Sequence, residues 1–148
     1  MKAIIQKVSR ADIIIDGELV SSIKKGIVIF LGIAIDDAEF DIGWLINKII
    51  KLRIFNTFDN NINQVNGEAL LVSQFTLQAN VLKGNRPSFI KAAKSELAKP
   101  LYEKFLNQLN ENLNTELKFG VFGADMLINL SNDGPVTIIY DSSIKSKK

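Results

Sequence analysis

Residues 26–33 read Gly26-Ile27-Val28-Ile29-Phe30-Leu31-Gly32-Ile33, a run without a single polar side chain. The run is short and rich in β-branched residues, which favours a strand over a helix. A strand with this pattern has no face for water, so both of its faces must be covered by other parts of the protein. We therefore expect a central, buried strand here.

Other strands and one helix are predicted on either side of this run. Segments 2–9 and 11–15 read as isoleucine- and valine-rich strands, and Asp16-Gly17 predicts a tight turn into a hairpin with 18–23. After the central strand, Asp36 or Asp37 can cap a helix that runs to about Leu52. The residues predicted to form its buried face are Ile42, Leu45, Ile46, Ile49 and Leu52.

The second half predicts one more strand, two helices and then strands again. Residues 69–72 read as a strand, Pro87-Ser88 as the start of a short helix to about Ala93, and Pro100 as the first residue of a longer helix. The remaining strands are expected at 115–119, 125–131 and 135–141. This order predicts an α+β fold in which a curved, mainly antiparallel, barrel-like sheet has helices packed on one face.

The composition excludes several classes of catalyst. The 148 residues include no cysteine and no histidine. A disulfide framework, a zinc–thiolate site, a cysteine nucleophile and a Ser-His-Asp triad are therefore ruled out. We expect no cofactor and no metal. Catalysis would have to use the other polar side chains, backbone amides or groups that the substrate supplies.

The length suits a single domain over 1–148 with a flexible basic tail at about 142–148. The N-terminus lacks the apolar run of an export signal, and no stretch is long enough to predict a membrane span. With no cysteine as well, we expect a cytoplasmic protein with no membrane partner. The net charge of +2 and the pI near 8.8 are weak indications of a polyanionic partner.

The first segment that could carry chemistry is Ser73-Gln74-Phe75-Thr76-Leu77, at the end of a predicted buried strand. Its hydroxyls could simply satisfy nearby backbone groups. Alternatively, strand ends are frequent ligand sites. Ser73 and Thr76 point to opposite faces of a regular strand, so both can serve one pocket only if the strand stops near Ser73 and the chain turns.

The second segment is Asn132-Asp133-Gly134-Pro135-Val136-Thr137, between two predicted strands. It could be an ordinary turn. In the functional interpretation, Gly134 lets the backbone approach a ligand closely because it has no Cβ. A cis peptide before Pro135 would aim neighbouring carbonyls the same way, but the sequence does not reveal the isomer.

The third segment is the basic stretch 83–99. It contains one acidic residue, Glu96, and five basic ones: Lys83, Arg86, Lys91, Lys94 and Lys99. A solvated helix face is one interpretation, and a surface that contacts phosphates is the other.

Taken together, these segments resemble the D-aminoacyl-tRNA deacylase family. The two signature motifs correspond to 72–77 and 132–137, and likeness in the same order continues through Gln6-Lys7-Val8-Ser9-Arg10-Ala11, Arg53-Ile54-Phe55, Arg86-Pro87-Ser88-Phe89, Leu101-Tyr102-Glu103-Lys104-Phe105 and Phe122-Gly123-Ala124-Asp125-Met126. Either motif alone is a weak signal. Both in order, over about 1–141, are a strong one.

The resemblance implies a homodimeric hydrolase in translation proofreading. Family members cleave the ester between a D-amino acid and the 3′-terminal adenosine of tRNA, and also clear glycine from mischarged tRNA. Ser73, Gln74, Phe75 and Thr76 would form the catalytic pocket floor. A cis Gly-Pro motif, here Gly134, Pro135, Val136 and Thr137, would reach into the partner's pocket and exclude L-amino acids. Lys83, Arg86, Lys91 and Lys94 would contact tRNA, with no role for DNA.

Three positions depart from the family pattern, and the segment 59–67 is shorter than usual. Lys7 stands where the family usually has an arginine that holds the Gly-Pro element, Val121 stands where arginine is common, and Asn80 stands where aspartate is. A lysine cannot form the bidentate clasp of a guanidinium. Lys7 is the expected supporting residue at this position.

The absence of histidine bears on the mechanism. A Thr76 nucleophile would need a base, and the 73–77 motif has no Lys, Asp or Glu. Substrate assistance by the adenosine 2′-hydroxyl, with backbone N–H donors around 74–77, fits these residues better. The competing hypothesis is a non-catalytic dimeric module that binds RNA or another ligand.

Overall fold

Within residues 1–144, which the computed structural model describes, the chain forms six strands, two α-helices and two 3₁₀ turns. In chain order the strands and helices are β1 (Lys2–Ile15), β2 (Glu18–Ile23), β3 (Gly26–Gly32), α1 (Glu39–Lys51), β4 (Glu68–Ser73), α2 (Ser95–Glu111), β5 (Lys118–Phe119) and β6 (Leu127–Asp141). The 3₁₀ turns are Phe75–Gln78 and Ser142–Ile144.

The strands form one sheet in the order β2-β1-β3-β4-β5, with β6 paired to β1. The three pairings of β1 are antiparallel, whereas β3–β4 and β4–β5 are parallel, so the sheet is mixed. The Ser21 hydroxyl on β2 donates to the Phe119 carbonyl on β5 at 2.7 Å. This contact joins the far strands and nearly closes the sheet into a barrel, which confirms the predicted α+β barrel-like fold.

The predicted central strand is β3, and both of its faces are buried. Ile27 and Ile29 pack in the larger core, which includes the inner faces of α1 and α2. Val28 points the other way, into a second cluster with Leu70 and Val72 of β4. Since side chains alternate along a strand, one run of apolar residues supplies both cores.

The two strands predicted at 2–9 and 11–15 are one continuous strand. The first half of β1 pairs with β3 and the second half with β2, while β6 follows it along both halves. The register on β6 shifts between Gln6 and Arg10, where the strand changes neighbours. The predicted break is therefore a local irregularity that lets β1 serve two parts of the barrel.

The predicted turn at Asp16-Gly17 is confirmed. Four residues of the predicted buried face of α1 are buried as expected, whereas Leu52 follows the helix and is half-buried; the four are Ile42, Leu45, Ile46 and Ile49. The predicted cap was wrong, because α1 is preceded by Ala38 and not by Asp36 or Asp37. Asp37 instead accepts from the Ala34 N–H at 2.6 Å and pairs with the Met1 ammonium group. At the N-terminus of the helix, the Asp41 carboxylate accepts a hydrogen bond from the Ala38 N–H at 2.9 Å.

The helix boundaries predicted from the prolines were also wrong. α2 begins at Ser95, so Pro100 lies inside it and cannot donate to the Glu96 carbonyl. The stretch after Pro87 is not helical. Ser88 pairs with Asn80 and Ala92 with Ala34 in isolated bridges, so hydrogen bonds to remote residues replace the helical ones.

The last strands differ from the predicted ones in extent. β5 is confined to two residues, and the predicted strands 125–131 and 135–141 are one long strand, β6. Of the expected basic tail, Ser142–Ile144 form a turn in which the Ser142 N–H donates to the Met1 carbonyl at 2.8 Å. Residues 145–148 of that tail lie outside the described residues.

Candidate active site

A cavity of about 520 Å³ opens where β4 ends. β3, β4, α2 and the segment before β6 supply its wall, which is mainly apolar. The residues that line it are Leu31, Ile33, Val72, Ser73, Gln74, Phe75, Ala93, Ser95, Ala98, Tyr102, Phe122, Gly123, Ala124, Asp125, Met126 and Ile128. A few polar groups on an apolar wall of this size are typical of a small-ligand site.

Ser73, Gln74 and Phe75 of the first signature motif form one wall of the cavity, which we call the floor. The path of the chain there meets the condition predicted from the sequence. β4 ends at Ser73, and the chain turns into the 3₁₀ helix Phe75–Gln78. The Gln74 N–H donates to the Leu31 carbonyl at 2.8 Å, and the Gln74 side-chain amide donates to the Thr76 hydroxyl at 2.5 Å. Ser73, Gln74 and Phe75 line the cavity, and Thr76 is linked to it through Gln74.

The start of this turn leaves two backbone donors without a partner inside the turn. Its first internal bond is donated by the Leu77 N–H to the Gln74 carbonyl at 3.3 Å. The N–H groups of Phe75 and Thr76 precede that bond, so the turn has no acceptor for them. They are available to a negatively charged or carbonyl oxygen.

Close packing at Gly32 brings this turn against β3. A Cβ added at Gly32 would lie 2.8 Å from the Gln74 carbonyl oxygen and 2.8 Å from Leu77 Cβ. Any larger residue would push the turn away from the strand. The apolar run through Gly32 predicts the strand, but nothing in its pattern predicts this contact.

Tyr102 forms part of the cavity wall, and the functional interpretation of the sequence did not single it out. Its side chain is 3% exposed, and the centroid of its ring lies 5.2 Å from that of the Phe122 ring. Among the described residues the Tyr102 hydroxyl has no hydrogen-bond partner. Burial raises the pKa of Tyr102, so the phenol is neutral at physiological pH. Its buried position on the helix resembles an ordinary core residue, so the pattern carried no functional signal.

The cavity also contains a carboxylate that lies outside both signature motifs. Asp125 is exposed and lines the cavity beside Gly123, whose N–H donates to the Ser73 hydroxyl at 3.4 Å. It is the one carboxylate among the lining residues. In the sequence, the segment 122–126 contributes to the family likeness alone, and nothing in its spacing indicates that it joins the floor.

The second motif, 132–137, protrudes from β6 rather than separating two strands. Gln6 on β1 faces Thr137, and Val8 faces Asn132, so residues 133–136 stand opposite Lys7 alone. The Asn132 side chain closes this excursion: its oxygen accepts from the Val136 N–H at 3.0 Å, and its nitrogen donates to the Thr137 hydroxyl at 2.9 Å. We call residues 132–137 the Gly-Pro corner.

The corner is exposed and has an unusual backbone. The Gly134–Pro135 peptide is cis, and Gly134 has φ +135°, a conformation that favours glycine. Both residues are exposed, as is Thr137, while Val136 is half-buried. No residue of the corner is among the described residues that line the cavity.

The sheet register explains why the corner and the floor are separate. Ser73 lies beside Leu31 on β3, whereas Lys7, opposite the corner, lies beside Ile27. These two positions on β3 are four residues apart, which is roughly 13 Å along a strand. One chain therefore holds the two signature motifs at different levels of its sheet.

The basic stretch flanks the mouth of the cavity. The Ala34–Ala92 bridge ties it to the end of β3, and Ala93 and Ser95 line the cavity itself. Lys83, Arg86, Lys91 and Lys94 are exposed, and within the described part of the chain none of them forms an ion pair.

The described residues contain neither a cluster of metal ligands nor a membrane-spanning helix. Within residues 1–144, no group of three carboxylates lies close enough together to hold a metal ion. Neither helix of that range has the length and apolar character needed to cross a membrane.

Comparison with known sequences gives a consistent result. Residues 4–141 match the profile of a family described as D-Tyr-tRNA(Tyr) deacylase. A protein of Flavobacterium psychrophilum named D-aminoacyl-tRNA deacylase is 51% identical over 98% of this chain and 99% of its own length. One of the same name from Christiangramia forsetii is 50% identical with the same coverage.

Two solved structures share the fold. A protein titled c-Myc DNA Unwinding Element Binding Protein has a TM-score of 0.91 and 40% identity, over 95% of this chain and 98% of that one. A probable eukaryotic D-amino acid tRNA deacylase has a TM-score of 0.80 over 94% of this chain and 97% of that one. At 14% identity, the second shows likeness of fold alone.

Proposed function

Because this chain belongs to the D-Tyr-tRNA(Tyr) deacylase family and is a hydrolase of the D-aminoacyl-tRNA ester bond, we propose a division of labour between its two signature motifs. In the proposal, Ser73, Gln74, Phe75 and Thr76 seat the terminal adenosine and the ester. Gly134, Pro135, Val136 and Thr137 of a second copy complete the site. The products are the free D-amino acid and tRNA.

The observation that carries the proposal is the exposed Gly-Pro corner outside the cavity of its own chain. The corner of one chain lies roughly 13 Å along the sheet from the floor of the same chain. It could instead contact the floor of a neighbouring protomer. Such an exchange requires a two-fold symmetric homodimer, because each copy gives its corner and receives the other. An active monomer in dilute sedimentation would contradict this part.

Selectivity for D-amino acids would come from backbone atoms of the corner. The carbonyls of Gly134 and Pro135 would hold the α-amino group and crowd one side of Cα, so that a D side chain points to solvent and an L side chain clashes. Rejection by a clash needs no pocket for the side chain. The enzyme would then accept many D-amino acids, and glycine on mischarged tRNA-Ala as well, since glycine has no side chain to reject.

Lys7 would support the corner from below. It is half-buried and is the single β1 residue opposite the excursion 133–136. A lysine offers a point charge with three donors in place of a planar fork. The Gln6 side chain donates to the Thr137 hydroxyl at 3.2 Å, which ties β1 to the last residue of the corner.

For the chemistry we propose substrate assistance. Water attacks the ester carbonyl, the adenosine 2′-hydroxyl relays a proton to the leaving 3′-oxygen, and the N–H groups of Phe75 and Thr76 stabilise the oxyanion. Positioning of this kind can contribute about 7–11 kcal/mol, and losing one oxyanion donor typically costs about 2.7–4 kcal/mol. Ser73 and Thr76 would orient the substrate, so a trapped aminoacyl-Thr76 ester would contradict this mechanism.

Asp125 provides the sharpest test of that chemistry, because it is the carboxylate that could act as a base in the cavity. Under substrate assistance, Asp125→Asn changes kcat by less than about threefold, whereas loss of a general base typically costs about 10²–10⁴. Single-turnover deacylation of D-Tyr-tRNA measures the difference. A drop of 100-fold or more would assign the proton transfer to Asp125.

The surroundings of the site complete the proposal. Lys83, Arg86, Lys91 and Lys94 would contact the tRNA backbone, and the reaction would take place in the cytoplasm without a cofactor. A solved relative is titled as a DNA-element binding protein, but we keep the prediction that DNA is not a partner here. Excess duplex DNA should leave deacylation unchanged at fixed salt, and competition by it would overturn this point.

The overall test compares D-Tyr-tRNA, L-Tyr-tRNA and Gly-tRNA-Ala. We expect rapid hydrolysis of the D-ester, slower hydrolysis of the glycyl ester and none of the L-ester above the uncatalysed rate. The alternative, a non-catalytic binding module, predicts retention of all three esters with binding intact.

A further inference from the structure

Gln78 is a buried polar residue that neither signature motif contains. Its side chain is 6% exposed, and its amide nitrogen donates to the Gly32 carbonyl at 2.9 Å. A leucine or methionine could fill the same space without the cost of burying an amide. The role of the amide is therefore its directional hydrogen bond to the Gly32 carbonyl at the end of β3.

That bond completes a clamp on the catalytic turn. At the start of the turn, the Gln74 N–H donates to the Leu31 carbonyl at 2.8 Å. At its end, Gln78 donates to the Gly32 carbonyl, the next acceptor along the same strand. Two consecutive carbonyls of β3 thus hold Gln74, which directly precedes the turn, and Gln78, its last residue, with Phe75 and Thr76 between them.

We propose that Gln78 is a positioning residue for deacylation, because it orients the turn that presents Phe75 and Thr76 to the ester. The inference rests on the proposed function of that turn. Gln78 does not line the cavity, so it acts through the turn and not by touching substrate. A small displacement at a reacting centre is costly: an error of about 1 Å can reduce the rate about 100-fold.

The first test replaces Gln78 by methionine, which has similar length and no donor. We expect kcat for D-Tyr-tRNA to fall about 10- to 100-fold, with KM within about twofold and a folded protein by circular dichroism. The matched control is Gln64→Met. Gln64 also makes a side-chain bond to a backbone group, to the Asn61 N–H at 2.9 Å, but in a loop before β4. Its loss should leave kcat unchanged.

The second test gives a signature that a purely structural role would not produce. In Gln78→Glu, only the protonated carboxyl can donate to the Gly32 carbonyl. We expect kcat of this variant to rise as the pH is lowered, relative to wild type at each pH, while Gln78→Met shows no such recovery. If Gln78→Met fails to fold, this pH dependence within one variant decides the question.

A readout without catalysis separates this inference from the proposed function. The backbone amide resonances of Phe75 and Thr76 should shift in Gln78→Met and stay in place in Gln64→Met. An unchanged kcat, a loss confined to KM, or amide resonances that do not move would overturn the positioning role. Failure of the wild-type protein to hydrolyse D-Tyr-tRNA, with the resonances shifting as expected, would instead overturn the proposed function.

Discussion

The floor of the cavity and the Gly-Pro corner are held in different ways. The floor is fastened at both ends to β3 and packs against Gly32, inside one chain. The corner is exposed, is closed mainly by the side chain of Asn132, and stands away from the cavity of its own chain. One motif is thus complete within the protomer. In the proposal above, the other meets its ligand only when a second copy is present.

The largest effect is expected at the corner. Gly134→Ala places a side chain at φ +135°, with its Cβ 2.7 Å from Val136 Cγ2, so the corner must change shape. We expect the ratio of kcat/KM for D-Tyr-tRNA over L-Tyr-tRNA to fall by about 100-fold or more. Gly43→Ala is the control, because a Cβ at that exposed glycine of α1 meets nothing within 4 Å. An unchanged ratio would place the selective wall elsewhere.

A change at the floor should reduce the rate and not the selectivity. In Gly32→Ala the new Cβ would displace the turn from β3, since both the Gln74 carbonyl and Leu77 lie 2.8 Å away. We expect kcat for D-Tyr-tRNA to drop about 30- to 100-fold while L-Tyr-tRNA stays resistant. Steady-state deacylation of both substrates, beside Gly43→Ala, checks this. Acquired activity on the L-ester would mean that the two motifs do not divide the work.

A weaker effect is expected outside both motifs, at the mouth of the cavity. Lys91→Glu with Lys94→Glu should raise KM about 10-fold and reduce the salt dependence of binding, because fewer phosphates are neutralised. Lys24→Glu with Lys51→Glu makes the same charge change at exposed positions, with Lys24 at the far end of β3. Equal effects from both pairs would show that only net charge matters.

The smallest effect concerns the stability of the folded protein at alkaline pH, through Tyr102 in the cavity wall. Burial raises the pKa of Tyr102 above its ordinary value of 10.0, so the folded state keeps a proton that the unfolded state loses as the pH rises above about 10. Stability from this source is present below that pH and lost above it. Urea unfolding at pH 8 and pH 10.5 should therefore show a smaller alkaline loss in Tyr102→Phe than in wild type. Equal losses would mean that the phenol is not buried as described.

The floor was easier to predict from sequence than the rest of the site. The apolar run at 26–33 and the hydroxyls after β4 are local signals, and they located the strand end correctly. Tyr102 and Asp125 reach the cavity only because α2 and the segment before β6 fold back onto it. That arrangement depends on tertiary packing, which no spacing of residues encodes.

The helix boundaries failed for a similar reason. Proline at the first helical position is a sound local rule, yet Pro100 lies within α2, whose buried residues Ala98, Leu101, Phe105 and Leu109 include positions on both sides of it. Packing of that face outweighs the one hydrogen bond that proline removes. In the same way, the Gly-Pro corner reads as a turn but is an excursion within β6, because β1 continues to pair on both sides of it.

The central claim, that one protomer lends its corner to the other's floor, is tested most directly with mixed dimers. Gly32→Ala chains have an impaired floor, and Gly134→Ala chains have an impaired corner. When the two are refolded together, a shared site predicts that about half of the mixed dimers' sites regain rapid, D-selective hydrolysis, because one normal floor meets one normal corner. If the mixture stays as impaired as the separate variants although mixed dimers are present, each chain uses its own corner and the claim is wrong.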